Sequence, residues 1–356
     1  MLDQKVKVVI LAGGQGTRFW PISRKARPKQ FLSICSSGQS LIQATNERTS
    51  PLSTLGPPLV VTNVLHETLI KEHLPEAEIL CEPYAKNTAP AIGIAALYVK
   101  HLDPEGIMIS LPADHAVKDE AKLREALSLA IQHARNSDDL VTIGINPGFP
   151  NTAYGYIKKG EQLSAGCYKV SRFYEKPNKE RAKEYFASGL FYWNSGMFVW
   201  KASAYLKSVE KYMPELHKSL IIIDSALGTE KELEVLQQEF QKMDSVSVDF
   251  GILEHATNCT VVTADDFGWN DVGSWDAWAE HFNTDDNNNL LHGDALAIDS
   301  KDCVIHSEHK LVAVVGAHDL VIIDSGDALL VCPRKKVQDV KKVVEELRKI
   351  NREDLT

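Results

Sequence analysis

Residues 6–32, VKVVILAGGQGTRFWPISRKARPKQFL, decide the fold, because an apolar strand runs directly into a glycine loop and then into a basic segment. The run from Val8 to Leu11 is continuously apolar, which is typical of a buried strand in a parallel sheet. Gly13, Gly14 and Gly16 follow at once. Glycines at such a turn let backbone amides approach a ligand closely, so this loop is predicted to bind phosphate oxygens.

The spacing of these glycines excludes two better-known phosphate-binding loops. A dinucleotide-binding fingerprint requires a third glycine three residues after Gly16, where Phe19 stands. A Walker loop requires Gly-Lys followed by Ser or Thr, whereas the frame that starts at Gly13 gives Arg18 and Phe19. The loop therefore matches neither class.

The segment after the glycines is rich in cations, which alone would also fit a solvated basic loop. Pro21 and Pro28 stiffen it. Cations next to a cradle of amides favour a polyphosphate ligand over an uncharged sugar. The cations are Arg18, Arg24, Lys25, Arg27 and Lys29.

The composition of the whole chain is that of an ordinary globular protein. It has 356 residues, of which 44% are hydrophobic and 24% charged, and a formal net charge of −9. An acidic chain with one local basic loop argues against a general nucleic-acid surface and for a small anionic ligand. There is no apolar segment before the first strand and no membrane-length apolar run. The cysteines are scattered, form no Cys-x-x-Cys pair and occur in a chain too large to need disulfides, so a reduced, cytoplasmic enzyme is expected. The cysteines are Cys35, Cys81, Cys167, Cys259, Cys303 and Cys332.

Strand-like and helical patterns alternate through the first half of the chain. Strands are predicted at 59–62, 107–111 and 140–145, with helical faces at 91–98 and 123–134 between them. This βαβ rhythm predicts an α/β fold with ligands at the carboxyl ends of the strands.

Polar residues follow several of these strands. Asn87 and Thr88, in EPYAKNTAPA, either cap the next helix or contact a nucleotide base. Asp114 follows the strand that ends in Leu-Pro-Ala, where it either holds Mg²⁺ or caps the helix around Lys122. Asp271 is the best candidate for a second metal-binding carboxylate.

The middle of the chain is less regular. Glu175 closes a predicted strand, and Asn194 begins another that is polar at its start and apolar afterwards. Structural hydrogen bonding and ligand binding are equally compatible with both residues. Helical patterns follow at 202–213 and 230–243, the second packing Leu233, Leu236 and Phe240.

The polar run at 285–289, DDNNN, predicts a domain boundary, so that residues 1–284 form one domain and residues 285–356 a second. Short apolar runs at 311–315, 320–323 and 329–331 suggest a small β-coil or sandwich layer. A final amphipathic helix should pack the face formed by Val337, Val340, Val344, Leu347 and Ile350. Cys303, His306 and His309 make an incomplete set of metal ligands.

Together these motifs resemble the sugar-nucleotide pyrophosphorylases, and among them the mannose-1-phosphate guanylyltransferases. The resemblance covers nearly the whole chain, since six motifs occur in the family's order. The pairing of FWP with NTAPA favours the mannose and GTP branch over relatives that use UTP or dTTP. The motifs are LAGGQGTRFWPISRKARPKQF, EPYAKNTAPA, LPADH, FYEKP, YWNSGMFVW and GWNDVGSW.

The resemblance implies a Rossmann-like nucleotidyltransferase domain with a mixed, mainly parallel sheet, a small β-helix-like domain after it, and a homodimer. It implies that Arg18 and Lys29 are catalytic, Arg18 acting on the leaving phosphates and Lys29 on the α-phosphate, and that Asp114 and Asp271 hold Mg²⁺. Nucleotide contacts are implied for Leu11, Ala12, Gly13, Gly14, Gly16, Thr17, Asn87, Thr88, Pro112 and Ala113. Sugar-phosphate contacts are implied for Tyr154, Gly155, Glu175, Lys176 and Asn194.

The implied reaction joins GTP and mannose 1-phosphate to GDP-mannose and pyrophosphate. The attacking phosphate is already an oxyanion, so no side chain need act as a general base. One alternative is a pyrophosphorylase for another hexose 1-phosphate or nucleotide, and another is an inactive, nucleotide-sensing regulatory subunit. Longer family members carry a phosphomannose isomerase domain, for which no room follows the final helix, so a single activity is expected.

Overall fold

The computed structural model describes residues 5–33, 38–264 and 266–356, so Cys35 and Asp265 lie outside the described residues. The chain divides into two compact units. The larger unit comprises residues 1–13, 45–113 and 117–269, and the smaller unit comprises residues 14–44, 114–116 and 270–356. In the described part of the chain, no helix has the length and apolar character needed to cross a membrane.

The larger unit is built on one mixed sheet. Its strand order is β3-β2-β1-β4-β8-β5-β9-β7-β6, and the first four of these strands are mutually parallel. The strands are β1 (Val6–Leu11), β2 (Leu59–Asn63), β3 (Glu78–Glu82), β4 (Ile107–Pro112), β5 (Leu140–Ile145), β6 (Tyr156–Ser164), β7 (Cys167–Tyr174), β8 (Phe191–Lys201) and β9 (Cys259–Thr263).

The central strands are buried on both faces, as their continuous apolar runs predict. Val6 to Ile10 of β1 are all buried, and Leu140 to Ile145 of β5 are too. Antiparallel β8 separates β4 from β5, and β5 pairs in parallel with β9. The predicted α/β fold class is confirmed.

Helices cover this sheet. α3 is apolar on nearly every side and is almost wholly buried from Ala89 to Leu97. The cap of α4 is Asp119 and not Asp114, because the Asp119 side chain accepts from the Lys122 amide at 3.1 Å. The prediction for Leu233 is wrong: Leu236 and Phe240 are buried, but Leu233 is 80% exposed. The helices are α1 (Leu41–Thr49), α2 (Glu67–His73), α3 (Thr88–Leu102), α4 (Glu120–Arg135), α5 (Lys179–Ser188), α6 (Ala202–Tyr212), α7 (Pro214–Ala226) and α8 (Glu232–Lys242).

The smaller unit contains a four-stranded sheet within the described residues. It has the strands β10 (Leu290–Ile298), β11 (Val304–Val315), β12 (Leu320–Asp324) and β13 (Leu329–Pro333) and the helices α9 (Trp275–Ala279) and α10 (Lys341–Lys349). β10, β11 and β12 are parallel, and β13 pairs antiparallel with β12.

The core of the smaller unit draws on all three of its chain segments. Phe19 and Trp20 come from the first, Ala116 from the second, and Trp275 and Trp278 from the third. The predicted domain boundary at residue 285 therefore falls inside this unit, and it stays a prediction. The two tryptophans are 1% exposed and pack in the core, as side chains of that size usually do.

The carboxyl-terminal face differs in part from the expected one. Val337 and Val340 belong to a 3₁₀ segment, Arg334–Val340, that precedes α10. Both are buried together with Val344, whereas Ile350 is 64% exposed because α10 ends before it. On β11, the Nδ1 atom of His306 lies 2.8 Å from Nδ1 of His292.

Candidate functional site

The carboxyl ends of β1 and β4 lie side by side in the larger unit. Leu11 is in register with Pro112. The Ala113 amide donates to the Leu11 carbonyl at 3.0 Å, and the Ala12 amide donates to the Val61 carbonyl of β2 at 2.8 Å. The structure therefore brings four predicted nucleotide contacts, Leu11, Ala12, Pro112 and Ala113, to one edge of the sheet, where α/β folds bind ligands.

Gly13 and Glu82 form a close pair at the same edge. A Cβ atom at Gly13 would lie 3.4 Å from Oε2 of Glu82, the last residue of β3. Glu82 is 6% exposed, and its Oε1 atom has no hydrogen-bond partner among the described residues. Burial raises the pKa of this carboxyl to about 8. The sequence analysis did not single out Glu82, although it opens the motif EPYAKNTAPA.

The beginning of α3 is held in place by its own polar residues. Asn87 adopts a left-handed backbone, with φ of 69°, and its Oδ1 atom accepts from the Thr88 amide at 2.9 Å. The Thr88 hydroxyl accepts from the Val248 amide at 2.9 Å. Capping of α3 thus accounts for Asn87 Oδ1, and a hydrogen bond to the segment around Val248 accounts for the Thr88 hydroxyl. Contacts of these residues with a base stay predictions.

Gly155, Glu175 and Asn194 meet elsewhere in the larger unit. The backbone amide of Asn194 donates to the Gly155 carbonyl at 2.8 Å. A Cβ atom at Gly155 would lie 2.6 Å from Oε2 of Glu175 and 3.3 Å from Cβ of Asn194, so only glycine leaves these two side chains room. Lys176 forms an ion pair with Glu175 and is 62% exposed at its side chain.

Asp249 joins this cluster and was not predicted. The Asn194 side-chain amide donates to Asp249 Oδ1 at 2.9 Å, and its oxygen accepts from the Thr142 hydroxyl at 3.1 Å. Burial, and then the charge of Glu175, raises the pKa of Asp249 to about 6. Asp249 begins a π-helical segment, Asp249–Leu253, a conformation that is rare and frequent at functional sites. Asn194 is thereby fixed from both ends of its side chain.

An aromatic group lies next in sequence to this cluster. The ring of Tyr154 contacts Trp193 and Trp269 edge to face, with centroids 5.0 and 5.1 Å apart. This packing orients the tyrosine, whose phenol is polar at one end and apolar along its body.

In the smaller unit, Lys29 is the central charge. It is only 4% exposed. Its Nζ atom donates to Asp114 Oδ2 at 2.8 Å and to the Asp271 carbonyl at 2.6 Å. Gly16 has a left-handed φ of 62°, and a side chain there would collide with Lys29, so the glycine is required for this approach. Gly14 is exposed, and Thr17 begins a 3₁₀ turn, Thr17–Phe19.

Asp114, Asp271 and Arg18 complete the charged groups of this part of the smaller unit. Burial alone would raise the pKa of the Asp114 carboxyl, but the charges of Lys29 and His115 outweigh it and lower this pKa below its ordinary value. A Cβ atom at Gly273 would lie 2.7 Å from Asp271 Oδ2 and 3.1 Å from Arg18 Nη1. The guanidinium of Arg18 also donates to Gln338 at 3.1 Å. The predicted catalytic and metal-binding residues are therefore collected in one unit.

The donor set of Asp114 and Asp271 fits a magnesium ion. Mg²⁺ in phosphoryl-transfer sites is usually held by one or two carboxylates, with substrate phosphates and water completing its shell. Asp114 stays ionised because of its cationic neighbours. Among residues 5–33, 38–264 and 266–356, no cluster of three or more His, Cys, Asp or Glu side chains could form an all-protein metal cage.

Comparisons with known proteins relate this arrangement to a family. A family model described as "Nucleotidyl transferase" matches residues 7–288, and another described as "MannoseP isomerase/GMP-like beta-helix domain" matches residues 293–347. Proteins named mannose-1-phosphate guanylyltransferase from Klebsiella pneumoniae and Escherichia coli are each 39% identical to this chain, over 97% of its length and 74% of theirs. The chain belongs to the mannose-1-phosphate guanylyltransferase family.

Two solved structures share the fold of this chain. A Thermus thermophilus protein, described as mannose-1-phosphate geranyltransferase, is 31% identical and has a TM-score of 0.88 over 97% of this chain and 99% of its own. A Helicobacter pylori protein, described as mannose-6-phosphate isomerase, is 30% identical with a TM-score of 0.63 over 75% of this chain and 99% of its own.

Proposed function

We propose that this member of the guanylyltransferase family transfers GMP from GTP to α-D-mannose 1-phosphate, giving GDP-mannose and pyrophosphate. The observation that carries the proposal is the buried Lys29, held between the Asp114 carboxylate and the Asp271 carbonyl. A buried, hydrogen-bonded ammonium next to two aspartates is suited to a reaction between anions rather than to hydrolysis by a nucleophilic side chain. The names of the relatives support the choice of substrates.

The reaction needs two negatively charged reactants to meet in line at the α-phosphorus. We assign the amides of the loop from Ala12 to Gly16, with Leu11 and Thr17 at its ends, to the triphosphate. Arg18 neutralises the pyrophosphate that leaves. Lys29 stabilises the charge that develops on the α-phosphate. Since the sugar phosphate attacks as an oxyanion, no proton has to be removed by the protein.

Asp114 and Asp271 would hold Mg²⁺. When bound, the ion supplies charge neutralisation at the phosphates. Lys29 keeps the Asp114 carboxylate ionised and oriented through its 2.8 Å hydrogen bond. The protein's own part is thus to place two carboxylates and two cations in fixed positions before substrates arrive.

The sugar and the base are assigned to the larger unit. Glu175 and Asn194 can hydrogen-bond hydroxyls, with Gly155 leaving room beside them, Tyr154 packing nearby and Lys176 pairing with the sugar phosphate. The base is assigned to the residues at the ends of β1 and β4 and at the start of α3. These are Asn87, Thr88, Pro112 and Ala113.

The test is pyrophosphate release by the purified protein with Mg²⁺. GTP, ATP, UTP and dTTP are each combined with mannose 1-phosphate and with glucose 1-phosphate. Release is expected only with GTP and mannose 1-phosphate together. Release with another pair would keep the chemistry but overturn the substrate assignment. No release with any pair would overturn the enzymatic proposal and favour a nucleotide-sensing subunit.

A further inference from the structure

Two reciprocal hydrogen bonds join the glycine loop to the carboxyl-terminal part of the smaller unit. Nη1 of Arg18 donates to Oε1 of Gln338 at 3.1 Å. In the opposite direction, Nη2 of Arg348 donates to Oε1 of Gln15, a residue of the glycine loop, also at 3.1 Å. Because Gln15 and Arg18 lie close together in sequence, two guanidinium groups are held at one loop, and one of them comes from the far end of the chain.

The fold keeps Arg348 in this position. Arg348 lies in the last turn of α10. The turn Thr17–Phe19, which follows the glycines, packs against α10 and against the 3₁₀ segment Arg334–Val340 that precedes it. Val344 of α10 is buried in the same core as Phe19. The contact between Arg348 and the loop is therefore supported by a common core and does not depend on one surface hydrogen bond.

Both guanidinium groups have neutral partners. The neighbouring cation of α10, Lys349, is paired with the Glu346 carboxylate at 2.7 Å. In the described part of the chain, by contrast, neither Arg18 nor Arg348 forms an ion pair, and the oxygens that they contact belong to carboxamides. A carboxamide does not neutralise a guanidinium. An anion can therefore bind both arginines without first breaking an ion pair.

The charge and the position of this pair indicate the ligand. A planar guanidinium binds phosphate oxygens through two parallel hydrogen bonds, so two of them suit a ligand with two phosphoryl groups. The glycine loop is assigned above to the triphosphate, and Arg18 to the pyrophosphate that leaves. Mannose 1-phosphate has one phosphate and is assigned to the larger unit. Pyrophosphate is thus the reactant that matches a second arginine at this loop.

We infer that Arg348 binds the β- and γ-phosphates of GTP, which leave as pyrophosphate, together with Arg18. This inference rests on the proposed function and adds to it a binding residue from the carboxyl-terminal helix. When the phosphates bind, the guanidinium exchanges Gln15 Oε1 for phosphate oxygens. Until then Gln15 holds the arginine next to the loop, so less side-chain freedom is lost on binding.

The reverse reaction tests this role directly, because pyrophosphate is then a substrate. An oxygen of pyrophosphate attacks the α-phosphorus of GDP-mannose, and mannose 1-phosphate leaves. In Arg348→Gln we expect the KM for pyrophosphate to rise at least about tenfold, as for the loss of a hydrogen bond between charged groups, while the KM for GDP-mannose stays unchanged. Arg352→Gln is the matched control, since this exposed arginine is paired with Asp354 at 2.9 Å. It should leave both KM values unchanged.

A second variant separates binding of phosphate from support of the loop. Gln15→Ala removes the hydrogen bond to Arg348 but leaves the charge of the arginine in place. It should raise the KM for pyrophosphate much less than Arg348→Gln does. An equal rise in the two variants would show that Arg348 only holds the loop, and would overturn the inference.

Calorimetric titration with magnesium pyrophosphate gives a readout that needs no turnover. Arg348→Gln should weaken the affinity at least about tenfold, and Arg352→Gln should not change it. Unchanged affinity in Arg348→Gln, or equal increases of both KM values, would overturn the inference. Failure of the wild-type protein to turn over GTP and mannose 1-phosphate, alongside an affinity for pyrophosphate that depends on Arg348, would overturn the proposed reaction and keep the inference.

Discussion

Lys29 shows how a single side chain depends on its neighbours for its chemistry. Its ammonium group is almost wholly buried and would be costly there without the Asp114 carboxylate. Gly16 gives it room, and the hydrogen bond from the Ser23 hydroxyl to the Gly16 carbonyl, at 2.7 Å, fixes the loop around it. A cation held this rigidly needs no reorganisation when charge develops on a phosphate.

Replacement of this lysine should therefore affect the rate strongly. We expect Lys29→Met to lower kcat for pyrophosphate release by about 100- to 1000-fold. Initial rates at saturating substrates would measure it, with a thermal melt to verify folding. Lys335→Met, an exposed lysine of the smaller unit, serves as the control. A loss below tenfold in Lys29→Met would contradict the assigned role.

Glu82 should make the stability of the ligand-free protein depend on pH. Its pKa is about 8 in the folded state against an ordinary value of 4.5, so the folded state holds this proton more tightly. The free energy of unfolding should then fall as pH rises from 4.5 through 8. Glu82→Gln removes this loss and should be more stable than wild type above pH 8, on the order of a few kcal/mol.

Urea unfolding at pH 6 and pH 9 would measure the difference. Glu76→Gln, which changes an exposed carboxylate in the turn before β3, should follow the wild-type protein at both values. Equal stability of wild type and Glu82→Gln at pH 9 would show that the carboxyl carries no such penalty. Higher stability of Glu82→Gln at pH 9 would show that the buried carboxyl destabilises the free protein once it ionises.

At the scale of elements, the π-helical segment Asp249–Leu253 connects two groups of predicted contacts. Just before it, the Val248 amide binds the Thr88 hydroxyl, and at its start Asp249 binds Asn194. The segment therefore supports the beginning of α3 and one side of the Asn194 cluster together. A π-helical turn is rare and is frequent at functional sites, which agrees with this connecting position.

Asp249→Asn should affect the sugar substrate selectively. The side-chain amide of Asn194 would lose its carboxylate partner. We therefore expect the KM for mannose 1-phosphate to rise about tenfold or more, while the KM for GTP changes little. Steady-state kinetics with each substrate varied in turn would show it. Asp244→Asn, an exposed aspartate just before the segment, is the control. Equal increases in both KM values would argue for a general structural defect instead.

The elements differ in how well their sequences predict them. Continuous apolar runs predict β1, β4 and β5 correctly, because a strand of a parallel sheet is buried on both faces and is therefore apolar at every position. Leu233 lies on the apolar face that the helical periodicity predicts, yet it is exposed. Periodicity gives the direction of a side chain but not whether the rest of the protein extends far enough to cover it. Glu82 and Asp249 are single acidic residues at the ends of elements, and the sequence shows neither the burial of Glu82 nor the bond between Asp249 and Asn194.

For the whole molecule, the feature that the order of the sequence does not show is that the smaller unit combines three separate chain segments. Its core joins Phe19 and Trp20 to Trp275 and Trp278, so residues near both ends of the sequence share one core. A polar run such as 285–289 marks a change in composition but says nothing about which segments pack together. Which segments pack into one core is seen only from contacts between residues distant in sequence.

An isolated fragment of residues 285–356 should consequently not fold. It would lack the aromatic side chains of Phe19, Trp20, Trp275 and Trp278, which share a core with residues of β11 and β12. Without them the apolar face of the sheet would be exposed, and so small a fragment cannot bury enough apolar surface to fold cooperatively. Urea unfolding of the fragment, followed by circular dichroism, is expected to show no cooperative transition, unlike the full chain. A cooperative transition in the fragment would show that residues 285–356 are independent.

The hydrogen bond from Trp20 Nε1 to the Leu355 carbonyl, at 2.8 Å, spans 335 positions of the sequence. A ribosome that adds about 5 to 20 residues per second needs roughly 20 to 70 s to make the second partner after the first. During that time the indole of Trp20 lacks the carbonyl to which it donates in the folded chain. The basic loop that follows the first strand is thus made early, whereas the hydrogen bond that fixes its indole forms only after residue 355 has been added.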